Sequence, residues 1–551
     1  MKPIPTTVED FKVLCENYYF IDKSWMIADI LARPAQVSLF TRPRRFGKTL
    51  TLAMLAYFFN IQYAKDSRAM FADLAIAKLG NALDFAGTKP VLFFSLKNLD
   101  SEDFPTFLAC FAGKISLLYN EHSYLLQSDC LLDADRKYFN AILDAPRDIA
   151  LLTRSLVSLM LFMQKYYQKK VVVLIDEYDA PIISAWDNNY YKQGISLLRG
   201  FLGDALKTNS ALDFAILTGV ERVAKESIFS GLNSFQVFSV LSSHFSAAIG
   251  YTEEDIQKIM HDFNLEDKFE ELKSWYDGYI FGDTEIYNPW SVNNYIYNKC
   301  VPEPYWINTS GNTIIAKMML NISSTLKEKL DALLTGKSIA TLSNENIIFS
   351  DLEDNENSLF MLLLTAGYLK CVRKYRAYAR DWVELQIPNY EIAQAYENEI
   401  LQRFSGKNLD LPYLMLAAMQ SGSGALFQEK LASILCNYVS TFDAAHPEYF
   451  YHGLMLAFGI LLAKSYVIKS NQESGYGRFD LAFFPKDKRH SGVILEFKVE
   501  KNVQRLKSAA KKALKQIAKQ AYLTEFSKEE VQTVWQYGIA FAGKHVEILQ
   551  G

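Results

Sequence analysis

Arg42-Pro43-Arg44-Arg45-Phe46-Gly47-Lys48-Thr49 stands between a short apolar run, Val37 to Thr41, and the helical pattern LTLAMLAYFF that begins at Leu50. A loop joining a strand to a helix N-terminus offers backbone N–H groups and the positive end of the helix dipole to a phosphate. Lys48 has the length to reach β and γ phosphates, and the Thr49 hydroxyl is the type of ligand Mg²⁺ takes in such a loop. Arg42 occupies the place of the first glycine in the pattern G-x-x-x-x-G-K-[ST]. Arg42, Arg44 and Arg45 either add charge beside the phosphates or are solvated, and the sequence leaves both open.

Three further runs, Val91 to Ser95, Val171 to Ile175 and Phe214 to Thr218, are rich in β-branched and aromatic residues and too short for amphipathic helices. Longer helical patterns separate them, which predicts a three-layer α/β core with a parallel sheet over residues 1–234. The third run ends in Asp176-Glu177, where Asp176 would hold Mg²⁺ through water and Glu177 would polarise the attacking water. The fourth ends at Thr218-Gly219. A polar residue there suits sensing of a terminal phosphate, and Arg222 or Lys225 just beyond could neutralise transition-state charge; a turn with surface charges is the alternative.

Residues 235–335 read as a helical lid whose loops are aromatic, including Trp275-Tyr276-Asp277-Gly278-Tyr279 and Tyr287-Asn288-Pro289-Trp290-Ser291. Over 336–405, a helix (Ser358 to Ala366), a break at Gly367, two strand-like runs (Tyr368 to Arg373, Val383 to Ile387) and a second helix (Tyr390 to Phe404) suggest a winged-helix-like module.

The last domain, 406–551, follows with an SGSG stretch at Ser421 to Gly424. Gly475 to Phe484 and Gly492 to Val499 read as paired strands, so Glu496 and Lys498 share a face and a hairpin brings Asp480 near them. Two carboxylates suit one or two Mg²⁺ ions, and a lysine beside them can orient or help deprotonate a water. Glu448 and His452 stand four apart on a helical pattern and share a face. Lys501, Arg505, Lys507, Lys511, Lys512, Lys515 and Lys519 form a basic run that either tracks a phosphate backbone or is a solvated helix face.

The stretches RPRRFGKT, DEYDAP (Asp176 to Pro181), TGVERVAKESIFSGLNSF (Thr218 to Phe235) and WYDGYIFG (Trp275 to Gly282), with Asn17, Tyr19, Asp22 and Lys23 upstream, resemble a bacterial AAA-ATPase-like family. Its members carry a C-terminal PD-(D/E)xK nuclease-superfamily domain. The resemblance runs through consecutive motifs over most of the chain. It implies an AAA-like P-loop core that binds ATP, and a C-terminal α/β domain of restriction-endonuclease-like fold. An arginine in place of the first loop glycine is usual in that family, and Glu448 sits where a helical metal-binding glutamate is often found.

At 551 residues the chain exceeds what one core sustains, so two to four domains are expected. No apolar stretch approaches the roughly 18–20 residues of a membrane span, the N-terminus MKPIPTTVEDFK lacks a signal-peptide pattern, and six cysteines occur without C-x-x-C pairing. These features point to a reduced, cytoplasmic protein. A net charge of −4 gives no global attraction to DNA, so DNA contact would need local basic patches. Two readings follow. One is an ATPase coupled to a Mg²⁺-dependent nuclease acting on DNA; the other is a nucleotide-dependent switch that binds DNA or a partner through a non-cleaving nuclease-like domain. Monomer and homo-oligomer both remain open, with Arg222 the candidate to act across subunits.

Overall fold

The computed structural model describes residues 2–33, 35–207, 209–222, 235–306, 336–345, 355–396, 410–438, 465–470, 477–519 and 531–551, with short pieces at 329–330, 332–334, 451–452, 454–455, 458–459, 461–462, 473–474 and 526–527. It divides into two units, residues 1–306 with 340–389, and residues 307–339 with 390–551. The span expected as a winged-helix-like module is thereby shared, its helix and hairpin at 356–386 folding with the N-terminal unit.

In the first unit, β1 (Val37–Thr41), β2 (Val91–Ser95), β3 (Val171–Asp176), β4 (Leu212–Gly219) and β5 (Phe235–Phe238) form a parallel sheet in the order β2-β3-β4-β1-β5. All six residues of β3 are buried, as expected of a central strand covered on both faces. On one face Val171, Val173 and Ile175 join a core built with the helices Phe104–Glu121, Asp133–Leu143, Ile149–Tyr167 and Tyr191–Leu206. Helix α1 (Lys48–Phe59), which carries buried Leu52, Leu55, Phe58 and Phe59, packs against β2, β3 and β4. The strand order has a direct chemical result. Because β4 lies between β1 and β3, Thr218 at its end comes between the loop after β1 and the acids after β3.

The region expected as a lid is helical around a short hairpin, β6 (Tyr279–Phe281) and β7 (Thr284–Ile286). Its own apolar cluster takes in Ile4 and Ile21 from the N-terminal flank, where Tyr19 Oη donates to Asp262 (2.6 Å) and Lys23 pairs with Asp255. A three-stranded sheet follows, β8 (Ile339–Leu342), β9 (Lys370–Ala377) and β10 (Arg380–Gln386), in the order β8-β10-β9. Helix α2 (Glu356–Ala366) precedes the hairpin, with Asn355 capping it through the N–H groups of Asn357 and Ser358.

The second unit holds a mixed sheet of β11 (Tyr466–Ser470), β14 (Leu481–Pro485), β15 (Gly492–Val499), β16 (Val534–Ala542) and β17 (His545–Gln550), in that order. Only β15 and β16 run parallel. A separate pair, β12 (Glu473–Ser474) and β13 (Gly477–Arg478), shows that the run read as one strand from Gly475 to Phe484 is interrupted. Asp480 lies in the break, where its carbonyl accepts from His452 Nε2 (2.8 Å) and its carboxylate from the Phe497 N–H. Helix α3 (Leu506–Lys519) buries Leu506, Ala509, Ala510, Ala513 and Ile517 against β15, β16 and β17. The lysines of the basic run therefore face solvent. Among the described residues no helix is long and apolar enough to cross a membrane.

Candidate functional site

The loop from Arg42 to Thr49 is built around Gly47, whose φ of 98° places it in the left-handed region as the N-cap of α1. A Cβ there would meet nothing within 4 Å, so the backbone angle and not space calls for glycine. Phe46 is buried against Tyr279 (4.9 Å between centroids) and Phe281 (5.3 Å). Arg45 lies 4.2 Å over the Trp290 ring, and Trp306 Nε1 donates to the Arg44 carbonyl (3.0 Å). A side chain at Gly367, at the end of α2, would come within 2.8 Å of Pro43. The aromatic lid motifs and the end of α2 thus brace the loop from outside.

The three arginines divide. Arg44 and Arg45 are exposed, whereas the Arg42 guanidinium is fully buried and donates to the carbonyls of Thr41 (2.9 Å), Phe238 (2.8 Å) and Phe245 (3.0 Å), 4.8 Å over the Phe281 ring. Burial lowers its pKa to about 9, which leaves it a cation at neutral pH. Neither reading left open for Arg42, charge beside the phosphates or a solvated side chain, describes it: its terminal nitrogens donate to the carbonyls of Thr41, Phe238 and Phe245, and it ties the loop to the β5 edge of the sheet. Arg42→Gly, which would recreate the usual first glycine, strands buried carbonyls and opens a cavity. It should destabilise the N-terminal unit by about 2–4 kcal/mol. Urea denaturation followed on that unit checks this; an unchanged midpoint would refute the structural role.

Lys48 is buried, and its ammonium donates to the carbonyls of Arg42 (3.0 Å) and Pro43 (2.9 Å). Burial lowers its pKa, opposed by the charges of Asp176, Asp179 and Glu177. Asp176 is fully buried at the end of β3 and accepts two hydroxyls, Thr49 Oγ1 at 2.6 Å and Thr218 Oγ1 at 2.5 Å. Thr49 and Asp176, both expected at Mg²⁺, are thus adjacent, and Thr218 lies against the same carboxylate. A carboxylate and a hydroxyl are hard oxygen donors of the type Mg²⁺ accepts. Glu177 follows with φ 51°, half-buried, its pKa raised by burial and then by Asp176. Arg222 is half-buried just past β4, with its Nε enclosed and without a hydrogen-bond partner. Lys225 lies outside the described residues.

Sequence reasoning missed a second buried set. Asp179 accepts from the N–H groups of Val220 (2.8 Å) and Glu221 (2.7 Å), and Tyr178 Oη donates to the Glu221 carbonyl (2.7 Å). Both Glu221 carboxyl oxygens lie 2.8 Å from Thr365 Oγ1 on α2. Burial raises the pKa of Glu221 well above the ordinary carboxylate range. The turn after Thr218 is therefore held from both sides. Only the motif DEYDAP hinted at Asp179, and nothing local marked its partner segment.

In the second unit, Asp480, just before β14, and Glu496, on β15, come together where Leu481 pairs with Leu495. Asp480 Oδ2 accepts from the Phe497 N–H (2.7 Å). Glu496 is 1% exposed; Lys498 Nζ stands 3.5 Å from its Oε1, while Oε2 is buried without a hydrogen-bond partner. Burial, and then the charge of Asp480, push the Glu496 pKa up to about 8. A buried acid with an unsatisfied oxygen beside a second carboxylate fits a divalent cation, which would satisfy both. Among the described residues no three His, Cys, Asp or Glu side chains gather as a metal cluster. Glu448 lies outside them, as does any placement of it beside this pair.

A parallel sheet whose first strand feeds a glycine-closed loop onto a helix, beside a strand ending in Asp176, defines a P-loop core. A mixed sheet carrying Glu496 and Lys498, with Asp480 just before its strand β14, defines a nuclease-like domain. Residues 5–229 match the family described as Predicted AAA-ATPase, and residues 446–551 match the PD-(D/E)XK nuclease superfamily. The chain is thus similar to an AAA-ATPase-like domain over its N-terminal part and to a PD-(D/E)XK nuclease-superfamily domain over its C-terminal part. It is 25% identical over 501 residues, 87% of this chain and 86% of the other, to the Azotobacter chroococcum mcd 1 protein named "Uncharacterized protein in vnfD 5'region".

Proposed function

We propose that this protein is an ATP-hydrolysing enzyme whose turnover controls a Mg²⁺-dependent nuclease acting on DNA. The observation that carries the nuclease half is the buried Glu496 carboxylate, with one oxygen unsatisfied, beside Asp480 and Lys498. Asp480 and Glu496 hold the cation, and Lys498 orients the attacking water and stabilises charge on the phosphate. Bound there, Mg²⁺ supplies Lewis-acid activation of the water and of the scissile phosphate.

In the N-terminal unit, backbone N–H groups of residues 44–49 and the Lys48 ammonium bind the ATP phosphates, and Thr49 with Asp176 holds Mg²⁺. Glu177 takes a proton from the attacking water; its raised pKa brings it nearer neutrality, where a general base is most effective. Thr218 contacts the terminal phosphate from between the two, and Arg222 offsets charge as the bond breaks.

The test is cleavage of linear single- and double-stranded DNA with Mg²⁺ or Mn²⁺, with and without ATP, using the unmodified chain and Asp480→Ala. Metal-dependent cleavage lost by at least about 10²-fold in Asp480→Ala, and altered by ATP, supports the coupled nuclease. Absent cleavage with ATP hydrolysis intact replaces it with a nucleotide-dependent switch that binds DNA or a partner.

A further inference from the structure

Residues 370–386, the β9–β10 hairpin, carry five basic side chains (Lys370, Arg373, Lys374, Arg376, Arg380) against two acidic ones (Asp381, Glu384), on a chain of net charge −4. The register sorts them by face, because residues directly opposite across antiparallel strands point to the same side. Cys371 opposite Leu385, with buried Val383, turns one face inward, and Lys374 on that side donates to the Leu241 carbonyl. The other face carries Arg373 opposite Glu384, Tyr375 opposite Trp382, and Ala377 opposite Arg380. Tyr375 and Trp382 lie nearly parallel, 13° apart with centroids at 6.5 Å, and the Arg373 guanidinium sits 5.2 Å over the tyrosine. Both rings are half-buried, so a shelf of aromatic surface remains open between two arginines. The pair between Arg373 and Glu384 (3.6 Å) is at the surface and holds the arginine weakly.

The turn adds an independent observation. Tyr378 and Ala379 have φ of 52° and 57°, both in the left-handed region. A two-residue hairpin turn of this type favours Asn-Gly, and other residues are strained there. Yet Tyr378 stands at the tip with 94% of its surface exposed, contributing nothing to a core. Strain combined with a large exposed ring points to a role outside folding. Exposed aromatic faces interleaved with arginines are how proteins stack unpaired bases and neutralise the phosphates between them. A paired base in a duplex has its faces covered by its neighbours and offers no such contact.

We propose that this hairpin binds single-stranded DNA, with bases stacked on Tyr378 and on the Tyr375–Trp382 shelf and phosphates met by Arg373 and Arg380. The proposal deepens the reading that the chain acts on DNA, and its test is separate from cleavage because it is run without divalent metal. The full chain, in EDTA, is titrated into a fluorescein-labelled oligothymidylate and into a duplex of equal length, read by anisotropy across a range of salt. Tyr378→Ala should weaken single-strand binding about fivefold or more, the low end for one stacked base. Tyr378→Gly should weaken it equally while raising the melting temperature, because glycine accepts the left-handed angle; a merely structural tyrosine would change stability and leave affinity alone. Arg373→Ala with Arg380→Ala should flatten the salt slope by about 1.4, from two phosphates at about 0.7 each. No single-strand binding by the unmodified chain, unaltered affinity in the Tyr378 variants, or an equal loss of duplex binding would each overturn the proposal. Loss of cleavage in Asp480→Ala, or its absence altogether, bears only on the nuclease reading.

Discussion

Lys48→Ala should abolish ATP hydrolysis while leaving the N-terminal unit folded. The ammonium is buried and satisfied by two loop carbonyls, those of Arg42 and Pro43, at 3.0 and 2.9 Å. Burial disfavours its charge, and three nearby carboxylates, Asp176, Asp179 and Glu177, oppose that loss. An ammonium in such surroundings is a strong ligand for polyphosphate, because the low local dielectric magnifies each charge-assisted contact. Removing it takes away one such contact in the ground state, about 1.5–3 kcal/mol or roughly 10- to 150-fold in ATP affinity. It removes more in the transition state, where loss of one aligned donor costs about 10²- to 10³-fold in kcat. The fold should survive, since the substitution removes a buried charge and α1 remains anchored by Leu52, Leu55, Phe58 and Phe59. Nucleotide binding and steady-state phosphate release, measured on the same preparation, check both parts. A variant that hydrolyses ATP at the unmodified rate would remove Lys48 from the site.

The second large effect is a pH-dependence of metal binding at Glu496. Its pKa is raised from the ordinary 4.5 to about 8 by burial and by the charge of Asp480, with Lys498 opposing. A cation must displace the proton from that carboxyl, so apparent affinity for Mg²⁺ or Mn²⁺ should rise about tenfold per pH unit up to about pH 8 and level above it. Between pH 6 and 8 the gain is roughly 100-fold. Stability runs the other way without metal. A carboxyl whose folded pKa lies above its unfolded value contributes stability below the unfolded pKa, near 4.5, and loses it as pH rises through about 8. Glu496→Gln should therefore bind no metal, cleave no DNA, and show an apo stability that no longer falls between pH 5 and 8. Calorimetric titration of Mn²⁺ at several pH values, with thermal melts in EDTA, measures both. Metal affinity that does not change with pH would show that Glu496 is not a ligand.

Much of this was legible from local sequence, for a physical reason. Strands β1 to β4 are largely buried, so they appear as short, mostly apolar runs, and all four were found where expected. Glycine at 47 follows from a backbone angle, and the acids at 176 and 177 from the end of a buried strand. The helix after β15 could be read as amphipathic because Leu506, Ala509, Ala510, Ala513 and Ile517 recur on one side of its lysines. The interrupted strand around Asp480 was less legible, since the break depends on contacts with His452 and Phe497, distant in sequence.

The sequence by itself determined which residue types stand at the ends of the strands, and with them the two chemistries the chain can support. Tertiary structure alone decided what each charged group does. Three arginines share one loop, yet Arg42 is buried on the carbonyls of residues 238 and 245 while Arg44 and Arg45 reach solvent. Glu221 looks like any acid in a turn until Thr365, 144 positions later, lies against it. Backbone angles and apolar periodicity are set by neighbours along the chain and leave their pattern in it. Desolvation and hydrogen-bond partners are set by whatever long-range packing brings alongside, and local sequence holds no record of that.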